Sequence, residues 1–148
     1  MQNKRSFDQA LRLIEQDHIE SVIGLVVGKL HVAANDPEIW QDVRECYRTH
    51  PLRDRLMQDP YVARCVEKPR GYAGDAILID MAYDRVAPPG TTALGQRAFA
   101  YSTGFPASRA VTLRKDALAE RLAKAVAAGQ RVLCLAGGHF READALIG

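Results

Sequence analysis

Apolar positions in the first third of the chain recur at helical spacing. Leu11, Leu13, Ile14, His18, Val22, Leu25, Val26 and Leu30 predict one long amphipathic helix, or two joined near Gln16 to Glu20. Ser6 followed by Gln9 has the form of a capping box ahead of it. Gly24 and Gly28 share one face and would permit close helix packing. Asn35-Asp36-Pro37-Glu38 is a second helix start, because Asp36 can cap and Pro37 suits a first-turn position where no N–H is needed. That helix runs through Trp40, Val43 and Tyr47, with Trp40 as an expected core anchor, and breaks at Thr49-His50-Pro51. Leu52 to Gln58 predicts a short helix, and Asp59-Pro60 starts another through Val62, Cys65 and Val66.

The pattern continues as helices over Ala76 to Tyr83, Thr92 to Tyr101 and Ser108 to Ala128, with a loop at Ala87-Pro88-Pro89-Gly90 and a turn at Thr103 to Pro106. In the longest of these, Val111, Leu118, Leu122, Ala125 and Val126 are expected to face the core, and Arg114, Lys115, Glu120, Arg121 and Lys124 to face outward. Gly129 closes it. The period then changes. Val132 to Leu135 is a short apolar run that predicts a buried parallel strand. Ala136-Gly137-Gly138 predicts a tight turn that a ligand can approach, followed from about Phe140 by the free N–H groups of a helix start.

With 148 residues, 47% hydrophobic and 26% charged, the composition is that of an ordinary globular domain. The Pro-Pro-Gly loop divides it into a helical region, 1–86, and a second region, 91–148. A net charge of +2 with both signs interspersed gives no electrostatic case for nucleic acid or for a membrane surface. Cys46, Cys65 and Cys134 are odd in number and widely separated, so buried reduced thiols are expected rather than disulfides or a metal site. Met1 to Arg5 lacks a signal peptide's apolar core, and the apolar stretch Val22 to Ala34 is too short to span a bilayer. A cytoplasmic protein follows as the expectation.

Two stretches carry candidate chemistry. Glu67-Lys68-Pro69-Arg70-Gly71-Tyr72-Ala73-Gly74-Asp75 crowds an Arg, a Tyr and an Asp between glycines, with Pro69 expected to hold Lys68 extended. Arg131 to Glu142, RVLCLAGGHFRE, has the strand, glycine turn and helix start of a nucleotide-type site. It lacks the third glycine of a dinucleotide fingerprint, since Ala136, Gly138 and Arg141 occupy those places, which disfavours NAD.

This second stretch resembles motif I of class I S-adenosylmethionine (SAM) dependent methyltransferases. Ala136, Cys134 and Phe140 depart from it, standing where a glycine, an acidic residue and a further glycine are common. His50 to Arg85, with its KPRGYAGD, taken together with the AGGHFRE turn, resembles a bacterial family of such enzymes with a helical N-terminal region, some of which make the methyl ester of 3-hydroxypalmitic acid. The resemblance implies a mainly α chain: a helical N-terminal bundle followed by the first β-strand and glycine turn of a truncated Rossmann-like α/β domain.

It also implies SAM as cofactor and a small-molecule methyl acceptor, a fatty acid or other carboxylate. The expected cofactor residues are Arg70 on the SAM carboxylate, Asp75 on its ammonium and Tyr72 against its sulfonium, with Gly74, Ala136, Gly137, Gly138 and His139 around them. Only one strand fits before Gly148, so further βα units are expected beyond it and the chain alone is expected to be inactive. The rival expectation is a non-catalytic helical interaction module that self-associates through the unpaired strand.

Overall fold

The computed structural model describes residues 2–146; Met1 and positions 147 and 148, the outer limits of the two expected regions, lie outside the described residues. Regular structure among the described residues is all helical. The elements are α1 (Gln2–Glu15), α2 (Ile19–Ala33), α3 (Pro37–Thr49), α4 (Leu52–Leu56), α5 (Pro60–Glu67), α6 (Ala76–Asp84), α7 (Ala93–Gly104), α8 (Pro106–Ala127) and a final 3₁₀ turn (Arg141–Leu146).

The first apolar stripe is broken into two helices. Asp17 takes the left-handed conformation (φ 66°), and the Asp17 and His18 N–H groups close the end of α1 on Ile14 and Leu13. Helix α1 starts before Ser6, so that residue lies inside it and not at its cap: Gln2, Lys4 and Arg5 are good helix formers. Asp36 caps α3 as its sequence predicts, accepting from Glu38 and Ile39 at 3.0 and 3.1 Å. Asp59 caps α5 through Tyr61 (2.8 Å).

Phe7, Ala10 and Ile14 of α1 pack with Val22, Ala33, Val43 and Leu52 into one core. His50 joins this core to its surroundings. Its Nδ1 accepts from the Leu52 N–H at 3.1 Å, which leaves the proton on Nε2 to donate to Asp8 at 3.1 Å. The break at Thr49-His50-Pro51 is therefore also a tie between α1 and α4.

Trp40 is not a core anchor. It is 37% exposed, while Val43, one turn on, is buried in its place. Gly24 and Gly28 do not serve close packing either, for a Cβ on them would meet nothing within 4 Å. The close approach occurs at Gly95, where a Cβ would land on the Gln58 carbonyl oxygen. Helix α7 packs back onto α2, α4 and α5. Ser102 of α7 donates to Asp59 at 2.6 Å, holding the cap of α5, and burial pushes the Asp59 carboxyl above the ordinary carboxylate range against these hydrogen bonds.

The expected strand is not formed: Val132 to Leu135 has neither helix nor sheet hydrogen bonds among the described residues, and Leu133 and Leu135 are about four-fifths exposed. A strand exists only against a partner strand, and none lies alongside among the described residues. Helix α8 ends at Gly129 as expected (φ 68°), with the Gly129 and Gln130 N–H groups returning to Val126 and Ala125.

The glycine contacts predict opposite outcomes for two alanine substitutions. Gly95→Ala should destabilise by about 3 kcal/mol, because backbone cannot yield to the new methyl. Gly28→Ala should stabilise by about 0.5 to 1 kcal/mol through helix propensity alone. Denaturant unfolding of the two variants checks both.

Candidate functional site

The site is organised by the start of α6. Asp75 is buried and caps that helix, its Oδ1 accepting from the Leu78 N–H at 2.9 Å. The same carboxylate takes a two-pronged hydrogen bond from Arg64 of α5, Nε to Oδ1 at 2.8 Å and an Nη to Oδ2 at 2.5 Å. The Arg64 bond is the main reason the Asp75 carboxyl is lowered to about 2, with the cap and the charges of Arg64 and Arg70 acting in the same direction against desolvation. Both oxygens are thus engaged within the protein, which makes Asp75 a support of the site more than a free acceptor.

The loop before it is exposed. Lys68 is left-handed (φ 48°) and not extended, because it closes α5 by donating to the Arg64 carbonyl at 3.0 Å. Gly71 uses its freedom (φ 86°), as the Gly71 N–H turns back to the Lys68 carbonyl at 2.7 Å.

The Ala136 to His139 turn lies against the first residue of α6. A Cβ on Gly138 would stand 3.3 Å from the Ala76 Cβ, and Gly138 also has positive φ (59°), so two requirements select glycine there. At Gly137 a Cβ would stand 2.6 Å from the Cys134 Sγ. Cys134 itself is exposed, contrary to the expectation of a buried thiol, because its run is not part of a sheet among the described residues.

The two candidate stretches meet at one open cavity of about 1110 Å³. Tyr72 and Gly74 come from the first stretch, and Ala136, Gly137, Gly138 and His139 from the second; Arg70 and Asp75 are outside its lining. Helix α6 contributes Ala76, Ile79, Asp80 and Tyr83, and α8 contributes Arg114, Leu118, Arg121, Leu122 and Ala125. Leu118, Leu122 and Ala125 thus face the cavity and not a closed core, with Leu118 and the neighbouring Val126 exposed. Sequence reasoning placed Arg114 and Arg121 on the outer face. Their spacing carried the missed signal: 114, 118, 121, 122 and 125 form one stripe of a helix.

Side-chain ties hold the turn to α6. His139 Nδ1 hydrogen-bonds the Asp80 carboxylate, and Arg141 reaches Asp84 (2.9 Å), Asp144 (2.8 Å) and Asp80 (3.4 Å). The Arg141 contact holds the Asp84 carboxyl below its ordinary value. Tyr83 donates to Glu142 at 3.5 Å, and the Lys115 ammonium sits 5.2 Å from the Tyr83 ring centre. Burial, followed by the Glu142 charge, raises the Tyr83 phenol, with Arg114 opposing. Asp80 and Asp84 stand four apart on α6 and so share one face of it.

No group of three or more His, Cys, Asp or Glu among the described residues is arranged to hold a metal ion, and no helix among them is long and apolar enough to cross a membrane. Compared with models of protein families, with curated proteins and with solved structures, the chain matches none of them.

The lowered Asp75 carboxyl predicts a specific acid dependence. Its folded value lies below its unfolded one, so its stabilisation is complete above the unfolded value near 4 and fades as pH falls towards about 2. The stability difference between wild type and Asp75→Asn should therefore be constant from pH 7 to about 5 and shrink between about pH 4 and pH 2. A difference that stays constant down to the lowest pH would contradict the pairing.

Proposed function

We propose that this chain carries the cofactor-binding start of a SAM-dependent methyltransferase, with its helical region as the lid over the cofactor and a small molecule as methyl acceptor. The observation that carries the reading is the meeting of KPRGYAGD and AGGHFRE, far apart in sequence, in the wall of one cavity. A second observation supports it. Ala136 and Phe140, which stand where the motif commonly has glycine, both hold left-handed backbone, at φ 55° and 51°.

The lining suits the parts of SAM. Leu118, Leu122 and Ala125 offer an apolar strip for the adenosine and the methionine chain, and Tyr72 an aromatic face for a cation. Glu142 adds a carboxylate to the lining for the positive groups of SAM. Arg121 lines the cavity without an ion pair among the described residues and takes over from Arg70 as the partner for a ligand carboxylate.

Bound SAM would supply an electrophilic methyl group on its sulfonium. The protein's part is to hold cofactor and acceptor in line and to exclude water. In this reading Val132 to Leu135 becomes the first strand of a Rossmann-like sheet when paired. Cys46, Cys65 and Cys134 are free thiols, which suits the reducing cytoplasm.

A second reading has one observation in its favour. The exposed Leu133 and Leu135, on a main chain without hydrogen bonds among the described residues, would suit an interaction module that pairs through this segment.

Calorimetric titration with SAM separates the two. The methyltransferase reading expects saturable binding, a loss of more than about tenfold in Gly138→Val, where a branched side chain would meet Ala76, and a change of less than about threefold in Arg70→Ala. No heat from the folded wild type, with self-association abolished by Leu133→Lys, would favour the interaction module.

A further inference from the structure

His139 and Asp80 form a pair that cofactor binding does not require. The Nδ1 of His139 hydrogen-bonds the Asp80 carboxylate, itself held by Arg141, and both residues line the cavity. A carboxylate accepts, so Nδ1 carries the proton and Nε2 has the lone pair. Nε2 makes no hydrogen bond among the described residues, and the His139 side chain is 40% exposed. This is a base oriented by a carboxylate, in the wall of a cavity that Ile79, Val132 and Leu135 line with apolar residues.

From this we infer that His139 is the catalytic base that takes a proton from the methyl acceptor, that Asp80 is its positioning residue, and that the acceptor is a hydroxyl compound with an apolar body, such as a phenol, and not a carboxylate. The inference rests on the SAM reading above. A carboxylate is already ionised at neutral pH and has no proton to give. A hydroxyl must lose one.

The step balances without other reactants. The acceptor oxygen forms its bond to the methyl carbon as the carbon–sulfur bond breaks, the bonding pair goes to sulfur and leaves a neutral thioether, and the hydroxyl proton passes to His139 Nε2. Asp80 stabilises the imidazolium, which later releases the proton to water.

The test uses 4-nitrophenol, which is yellow only as phenolate, at a pH where the free phenol is half ionised. Binding is followed by calorimetry and ionisation by absorbance, with and without S-adenosylhomocysteine, for wild type, His139→Gln and Asp80→Asn. Glutamine keeps a donor for Asp80 while removing the base. Wild type should bind the probe with its ionisation shifted down by about one unit, a tenfold change in the phenolate ratio. Both variants should bind it within about threefold and leave it about half ionised, as in free solution; thermal melts check that they are folded. Probe whose ionisation does not rise on wild type, that ionises on His139→Gln as much as on wild type, or that does not bind at all overturns the proposal. Dyad-dependent ionisation without any S-adenosylhomocysteine binding would uphold the base and sink the SAM reading.

Discussion

A buried carboxylate fixes the geometry of the site. Asp75 ends the KPRGYAGD loop, starts α6 by capping it, and binds Arg64 of α5 through both oxygens. A buried charge of this kind is tolerated only when it is paired and hydrogen-bonded, so the loop, the helix start and α5 have one mutual arrangement that satisfies it. The rest of the site is placed from there. Gly138 rests on Ala76, the next residue, and Asp80 and Asp84 lie further along the same helix to receive His139 and Arg141.

The polar ties around the cavity differ in kind from those inside the bundle. In the bundle, Asp59 with Ser102 and His50 with Asp8 join helices through buried groups with fixed partners. Around the cavity the charges are partly exposed, and surface ion pairs of that kind contribute little each. Their value is placement: several weak contacts orient a turn whose backbone is strained at Ala136 and Phe140.

Much of the helical layout was legible in the sequence because its signals are local. Asp36-Pro37, Asp59-Pro60 and Gly129 act within one turn of their own helix, and each does what its chemistry predicts. The failures share another cause. Trp40 reads as core by type, but its helix turns Val43 inward instead; Cys134 and the Val132 to Leu135 run read as buried because burial of a strand depends on neighbours that a local pattern cannot show. Gly95 carries no local signal, since its reason is the Gln58 carbonyl, remote in sequence. At the site, the two glycine-bearing stretches could be paired by type, whereas the place of Arg121 in the cavity lining with Arg70 outside it, and the union of Asp80 with His139, depend on which faces of α6 and α8 meet.

Hydrogen exchange with and without SAM tests whether the two remote stretches form one cofactor site, as proposed. Protection should rise together in the peptides covering residues 70–80 and 131–142, with the α1 to α3 core unchanged. Protection confined to one of the two stretches, or appearing only in the helical bundle, would contradict it.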